Sequence, residues 1–164
     1  MSIEYVLASL LEPKKSNEDA VQTFIFVLGD KARAHVENGK KTESHLLSSI
    51  NAVVKSRDAI HVLFLNRLQY LFMYLMKFEA EEDPSAVKYD RFVVYGLDAL
   101  LKQVDDENDK INEDQLRLSN LIFNAAFRIK RKHSLKAITF VPFDDNSDLT
   151  MTLQRLERYW RHVC

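Results

Sequence analysis

The chain has one cysteine, Cys164, and it is the last residue. A lone thiol excludes an intramolecular disulfide framework and a cysteine metal site, and it suits a reducing compartment. With nothing after it, Cys164 cannot be a prenylation box, which needs three further residues. Glycine and proline number three each, too few for the frequent turns of a β-sandwich or barrel. Net charge is also missing: 23 basic side chains oppose 24 acidic ones, leaving -1. Any attraction to nucleic acid or anionic lipid must therefore come from a local patch. The opening MSIEYVLASLLEPKK lacks the basic start and long apolar core of a secretory signal, and Glu4 and Glu12 argue against a transit peptide. No run of 18 apolar residues offers a membrane span. These absences together predict a cytoplasmic protein, or one in a host cell's cytoplasm or nucleus if the source is a virus.

The 164 residues are 46% hydrophobic and 29% charged, a globular composition in a chain long enough for one domain with a sizeable core. With so few turn residues the expected class is all-α: a single helical bundle of about six helices spanning 1–164. Ser2 is placed to cap a first helix to Glu12, and Pro13 ends it. Asn17 or Ser16 starts a second, in which Val21, Phe24, Ile25, Leu28 and Ala32 recur at helical spacing before Asn38-Gly39 closes it. A third run, from Thr42, carries Leu46, Leu47, Ile50, Val53 and Val54. Asp83 and Pro84 fit the start of a helix through Phe92, Leu97 and Val104. Acidic 105–114 reads as an exposed connection. Helix resumes near Asn112 and runs to His133. Residues 135–143, LKAITFVPF, favour an extended chain because of Ile138, Phe140, Val141 and Pro142. Asn146 or Ser147 then caps a last helix to His162.

The most apolar stretch is His61 to Phe78, HVLFLNRLQYLFMYLMKF. Read as one helix, it has apolar side chains in nearly every direction and must be enclosed by protein. Asn66, Arg67, Gln69 and Lys77 argue against insertion into lipid. The expectation is a central, buried helix.

Candidate chemistry is concentrated in the last third. On the helix from Asn112, Leu118, Leu121, Ile122, Ala125 and Ile129 form one side, and Arg117, Asn120, Asn124, Arg128 and Arg131 form the other. With Lys132 at the helix end, this stripe could track phosphates. Cations at a helix C-terminus also oppose the macrodipole without any ligand. The final helix confines Leu149, Leu153, Leu156, Trp160 and Val163 to a narrow face, with Arg155, Arg158 and Arg161 away from it. Docking on its own bundle is one reading, and a partner-binding helix anchored by Trp160 is the other. Arg128 and His133 form an Arg-x-x-x-x-His spacing that is similar to the signature of the HEPN class of all-helical ribonucleases. The resemblance implies His133 as general acid or base and Arg128 steadying a phosphate. Ile129, however, stands where that motif is usually polar. On a continuous helix the two side chains diverge by about 140°.

No histidine pair, glycine-rich phosphate loop or nucleophile elbow is present, so neither a metal nor a cofactor is expected. By elimination the predicted function is a non-enzymatic protein-interaction module, an adaptor, inhibitor or regulatory protein with a protein partner. A nucleic-acid-binding regulator is the alternative. The candidate contacts for a protein partner or for nucleic acid are Arg117, Asn124, Arg128, Arg131, Lys132, Arg155, Arg158, Trp160 and Arg161.

Overall fold

A computed structural model describes residues 2–11, 21–38, 58–104 and 111–164. It overturns the all-α bundle: four parallel strands form a sheet with helices on both faces. In chain order the described elements are α1 (Ile3–Leu11), β1 (Thr23–Leu28), α2 (Asp30–Asn38), β2 (Ile60–Leu65) and α3 (Leu68–Ala80). A 3-10 turn (Pro84–Ala86), β3 (Arg91–Tyr95), α4 (Leu97–Val104), α5 (Glu113–Lys132), β4 (Ala137–Val141) and α6 (Asp148–Val163) complete them. The expected helix from Thr42 lies outside the described residues, as does most of the acidic connection after Val104.

Each correction has a physical cause. The strands TFIFVL and RFVVY are buried on both faces of a parallel sheet. Such strands read as continuous apolar runs rather than alternating ones. Over six residues a continuous run also satisfies helical spacing, so Phe24, Ile25 and Leu28 fitted both templates. Asp83 does cap Pro84 and Ser85, accepting the Ser85 amide at 2.9 Å, but the helix lasts one turn before β3 begins. The stretch from His61 to Phe78 is a strand followed by a helix, broken at Asn66-Arg67. Its apolar residues point everywhere because a strand exposes two faces and a helix all of them. It is not the enclosed centre: Leu71 and Leu75 are buried, whereas Val62, Phe64, Tyr70, Met73 and Tyr74 are exposed.

The strand order is β2-β1-β3-β4. The connection from β1 goes outward to β2, and the next returns past β1 to β3. Right-handed crossovers then require α2 and α3 on opposite faces. The core divides accordingly. Phe26, Leu28, Phe92, Val94 and Ile138 pack under α3, α4, α5 and α6 through Leu71, Leu75, Leu100, Ile122, Phe123, Ile129 and Leu153. On the other face Ile25, Val27, Val93, Tyr95 and Val141 meet Ile3 and Val6 of α1 and Ala32 of α2.

Where the chain switches from helix to loop by local chemistry, expectation and structure agree. Asn112 and Gln115 exchange reciprocal hydrogen bonds as a capping box at the start of α5, and Ser147 accepts the Thr150 amide at the start of α6. Within the extended segment expected at 135–143, residues Ala137–Val141 form β4, an edge strand of the sheet.

Candidate functional site at the carboxyl end of the sheet

In open α/β sheets, ligands sit outside the carboxyl ends of the strands where the direction of winding reverses. Here that point lies between β1 and β3, at Leu28-Gly29-Asp30 and Tyr95-Gly96-Leu97-Asp98. Both glycines have positive φ, 84° and 86°. At Gly96 a Cβ would stand 2.7 Å from Ala32 Cβ and 2.8 Å from the Leu28 carbonyl, so the two loops touch through backbone.

Two polar side chains complete the closure. Gln103 of α4 accepts the Asp30 amide at 3.1 Å through Oε1 and donates from Nε2 to Asp30 Oδ2 at 2.8 Å. It thereby occupies an amide that a helix start would otherwise offer to an anion. Asp98, only 2% exposed, accepts the Phe143 and Asp144 amides at 2.8 and 2.9 Å and the Thr150 hydroxyl at 3.4 Å. Its carboxylate holds the β4–α6 loop. The residues after β1, Gly29-Asp30-Lys31-Ala32-Arg33, contain no Gly-x-x-x-x-Gly-Lys phosphate loop.

Beside the crevice, on the α1 side, the His35 ring pairs with the Glu4 carboxylate and lies 6.1 Å from the Phe143 ring and 6.3 Å from Tyr95. Burial tends to raise the Glu4 pKa, but hydrogen bonds from its own backbone, His35 and Ser2, with the His35 charge, hold it below the usual value. Burial, then the charges of Glu4 and Asp98, push the Tyr95 phenol up. Sequence reasoning did not single out Gln103, Asp98, Glu4 or His35, since their partners lie far along the chain.

The basic candidates are more dispersed than a phosphate track requires. Arg117 pairs with Glu113 at 2.6 Å, Arg128 with Glu79 at 2.5 Å and Arg161 with Glu157 at 2.7 Å. Arg131 donates to the Cys164 carbonyl at 3.5 Å, and Lys132 to the Glu79 carbonyl. Acidic partners therefore interleave the stripe. Arg128 and His133 each have a partner on α3, Glu79 and Phe78. His133 ends α5 as its C-cap, and its Nε2 meets the Phe78 carbonyl at 2.8 Å. Both residues fasten α5 to the end of α3, which leaves the resemblance to all-helical ribonucleases without fold or geometry. Trp160 is half-buried against the core, donating its indole N–H to Asn120 at 2.8 Å. Asn124 accepts from the Cys164 thiol at 3.9 Å. Arg155 and Arg158 are exposed on the outer side of α6, beside Tyr159.

Among the described residues no group of three or more His, Cys, Asp or Glu could hold a metal, and no helix is long and apolar enough to cross a membrane. Fold and site together define a doubly wound α/β protein in which Gln103 and Asp98 take up loop amides at the carboxyl end of the sheet. The sequence comparisons agree on what this chain is. It belongs to the family described as suppressor of HU sensitivity involved in recombination protein 1, whose model matches residues 4–164. The protein of that name from Saccharomyces cerevisiae is 30% identical to it over 164 residues, covering 99% of each chain.

Proposed function

We propose that this chain is a non-enzymatic interaction protein that serves recombination as a regulatory or assembly subunit. The observation that carries the reading is the closed crevice. Gln103 on the Asp30 amide and Asp98 on the Phe143 and Asp144 amides spend on internal structure the groups that a doubly wound enzyme presents to its ligand. Family membership supports the biological setting, because the yeast relative's name places it in recombination. The ion-paired arginines support a protein partner over nucleic acid, since each carboxylate beside a guanidinium repels phosphate. On this reading the chain would work in the compartment holding the chromosomes, in place of the cytoplasm expected from the sequence.

One observation favours the nucleic-acid alternative. Arg155, Arg158 and Tyr159 share the outer side of α6, cations beside an aromatic face on which a base could stack. Affinity capture from the source cell, with and without nuclease, tests both readings. Partners retained after nuclease, together with an altered recombination frequency when the chain is deleted, are the expected result. Capture that nuclease abolishes would give the alternative its place.

A further inference from the structure

The exposed apolar side chains of this protein are not scattered. Among the described residues, five of the eleven large ones, Val62, Phe64, Tyr70, Met73 and Tyr74, fall between residues 62 and 74. Val62 and Phe64 lie on β2, which among the described residues pairs only with β1, and Tyr70, Met73 and Tyr74 lie on α3, the helix that follows it. Val62, 46% exposed, and Phe64 lie on the sheet face that carries α2, in register with Ile25 and Val27. Tyr70, Met73 and Tyr74, spaced three and four apart, form one stripe of α3 over the opposite face. Natural sheets blunt an open edge with lysine, proline or inward-pointing charge. The strand here, IHVLFL, has none of these.

We propose that the β2 edge is a strand-addition site for an extended segment of a partner protein, with apolar side chains at alternate positions and flanking carboxylates. This rests on the reading of the chain as an interaction protein and supplies its surface. The partner's backbone would pair with the outward amides and carbonyls of β2. Its side chains would then alternate between the Val62–Phe64 face and the Tyr70–Met73–Tyr74 stripe. Charge selects the occupant. The carboxyl end of the edge is rimmed by Arg33, over the Phe64 ring at 5.0 Å, and Arg67, over Tyr70 at 6.0 Å. Arg33 is held by Glu37 at 2.9 Å, but both side chains are more than half exposed, so the pair is weak and exchangeable. A second copy of the same strand, paired antiparallel, would set Asp58 opposite Arg67 but bring no carboxylate of the strand itself to Arg33, which an acidic segment can supply.

The test uses the full chain and a fluorescein-labelled peptide alternating valine or phenylalanine with threonine between paired terminal aspartates. Anisotropy should report binding, and hydrogen exchange should show new protection at residues 61–65. Phe64→Glu and Met73→Glu, at exposed positions and checked by melting to be folded, should each weaken binding about tenfold or more. Replacing the peptide's aspartates with serine should weaken it as well. Protection elsewhere, or equal binding by Phe64→Glu, overturns the proposal. A wild-type dimer that Phe64→Glu dissolves also overturns it and gives the edge to a second copy. Wild type and Phe64→Glu are also used as baits in the source cell. If both retain the same partners, this surface is wrong while the interaction reading stands. If neither captures anything, both fall.

Discussion

Gln103 and Asp30 clasp each other at two points, 3.1 and 2.8 Å, across 73 positions of sequence. The clasp joins the first turn of α2 to the last turn of α4 and lies where a nucleotide-binding sheet would receive phosphate. Three conditions for nucleotide binding are therefore missing together: a free helix start, a glycine-rich loop and a lysine in register. ATP with magnesium should leave the melting temperature of the protein unchanged. Gln103→Ala should cost about 0.5–1.5 kcal/mol, visible in a denaturant melt, without creating nucleotide affinity. An ATP-dependent rise in melting temperature in either protein would refute the closed-crevice account.

Asp98 supports more structure than Gln103 because it is buried and accepts from three groups. Asp98→Ala leaves the Phe143 and Asp144 amides without their acceptor, while the Thr150 hydroxyl keeps the Asp144 carbonyl at 2.7 Å. The expected loss is about 2–4 kcal/mol, or a fall of roughly 5–15 °C in melting temperature for a chain of this size. Asp98→Asn keeps an acceptor oxygen but points an N–H₂ at groups that are themselves donors, so it should fall between wild type and alanine. Calorimetry of the three proteins decides the order, and a wild-type melt for Asp98→Ala would show the loop is held by other means.

What the sequence disclosed was local. The helix starts near Asn112 and at Ser147 were readable because caps act over a few residues, whereas the break expected at Pro13 lies outside the described residues. The strands were not, since TFIFVL and RFVVY match a buried helix turn as well as a buried strand, and only pairing partners 37 to 68 residues away decide between them. The signal that could have helped was the alternation of strand-length apolar runs with helical ones, together with Gly29 and Gly96 at the ends of two such runs. The α5 stripe was placed correctly on a helix, yet Glu79, the partner of Arg128, lies on another helix, so its pairing was beyond the reach of spacing.

Leu71 and Met73 make the correction of 61–78 measurable. Two positions apart on α3, they are 0% and 64% exposed. A carboxylate at Leu71 would sit unpaired against Phe26 and the α5 side chains, so Leu71→Asp should cost roughly 4 kcal/mol or more and unfold much of the population. Met73→Asp should stay within about 1 kcal/mol of wild type. Circular dichroism melts of the pair are sufficient, and equal loss in both would restore the enclosed helix.

Glu4 ties α1 to α2 through His35, and its hydrogen bonds hold its carboxyl below the ordinary value. A lowered carboxyl pKa means that in mild acid the unfolded chain binds the proton first. The stability Glu4 contributes is then complete above its unfolded value of about 4.3 and disappears as pH falls through the lower folded value. Glu4→Gln cannot ionise and has nothing to lose in that window. The gap in stability between wild type and Glu4→Gln should therefore be constant near neutrality and shrink as pH drops from about 5 towards 3. Because the carboxylate is half exposed, the gap itself should be small and should narrow further in high salt. Urea melts across that pH range, at low and high salt, measure it. A gap that widens in acid would reverse the sign and break the link between the Glu4–His35 contact and the seating of α1.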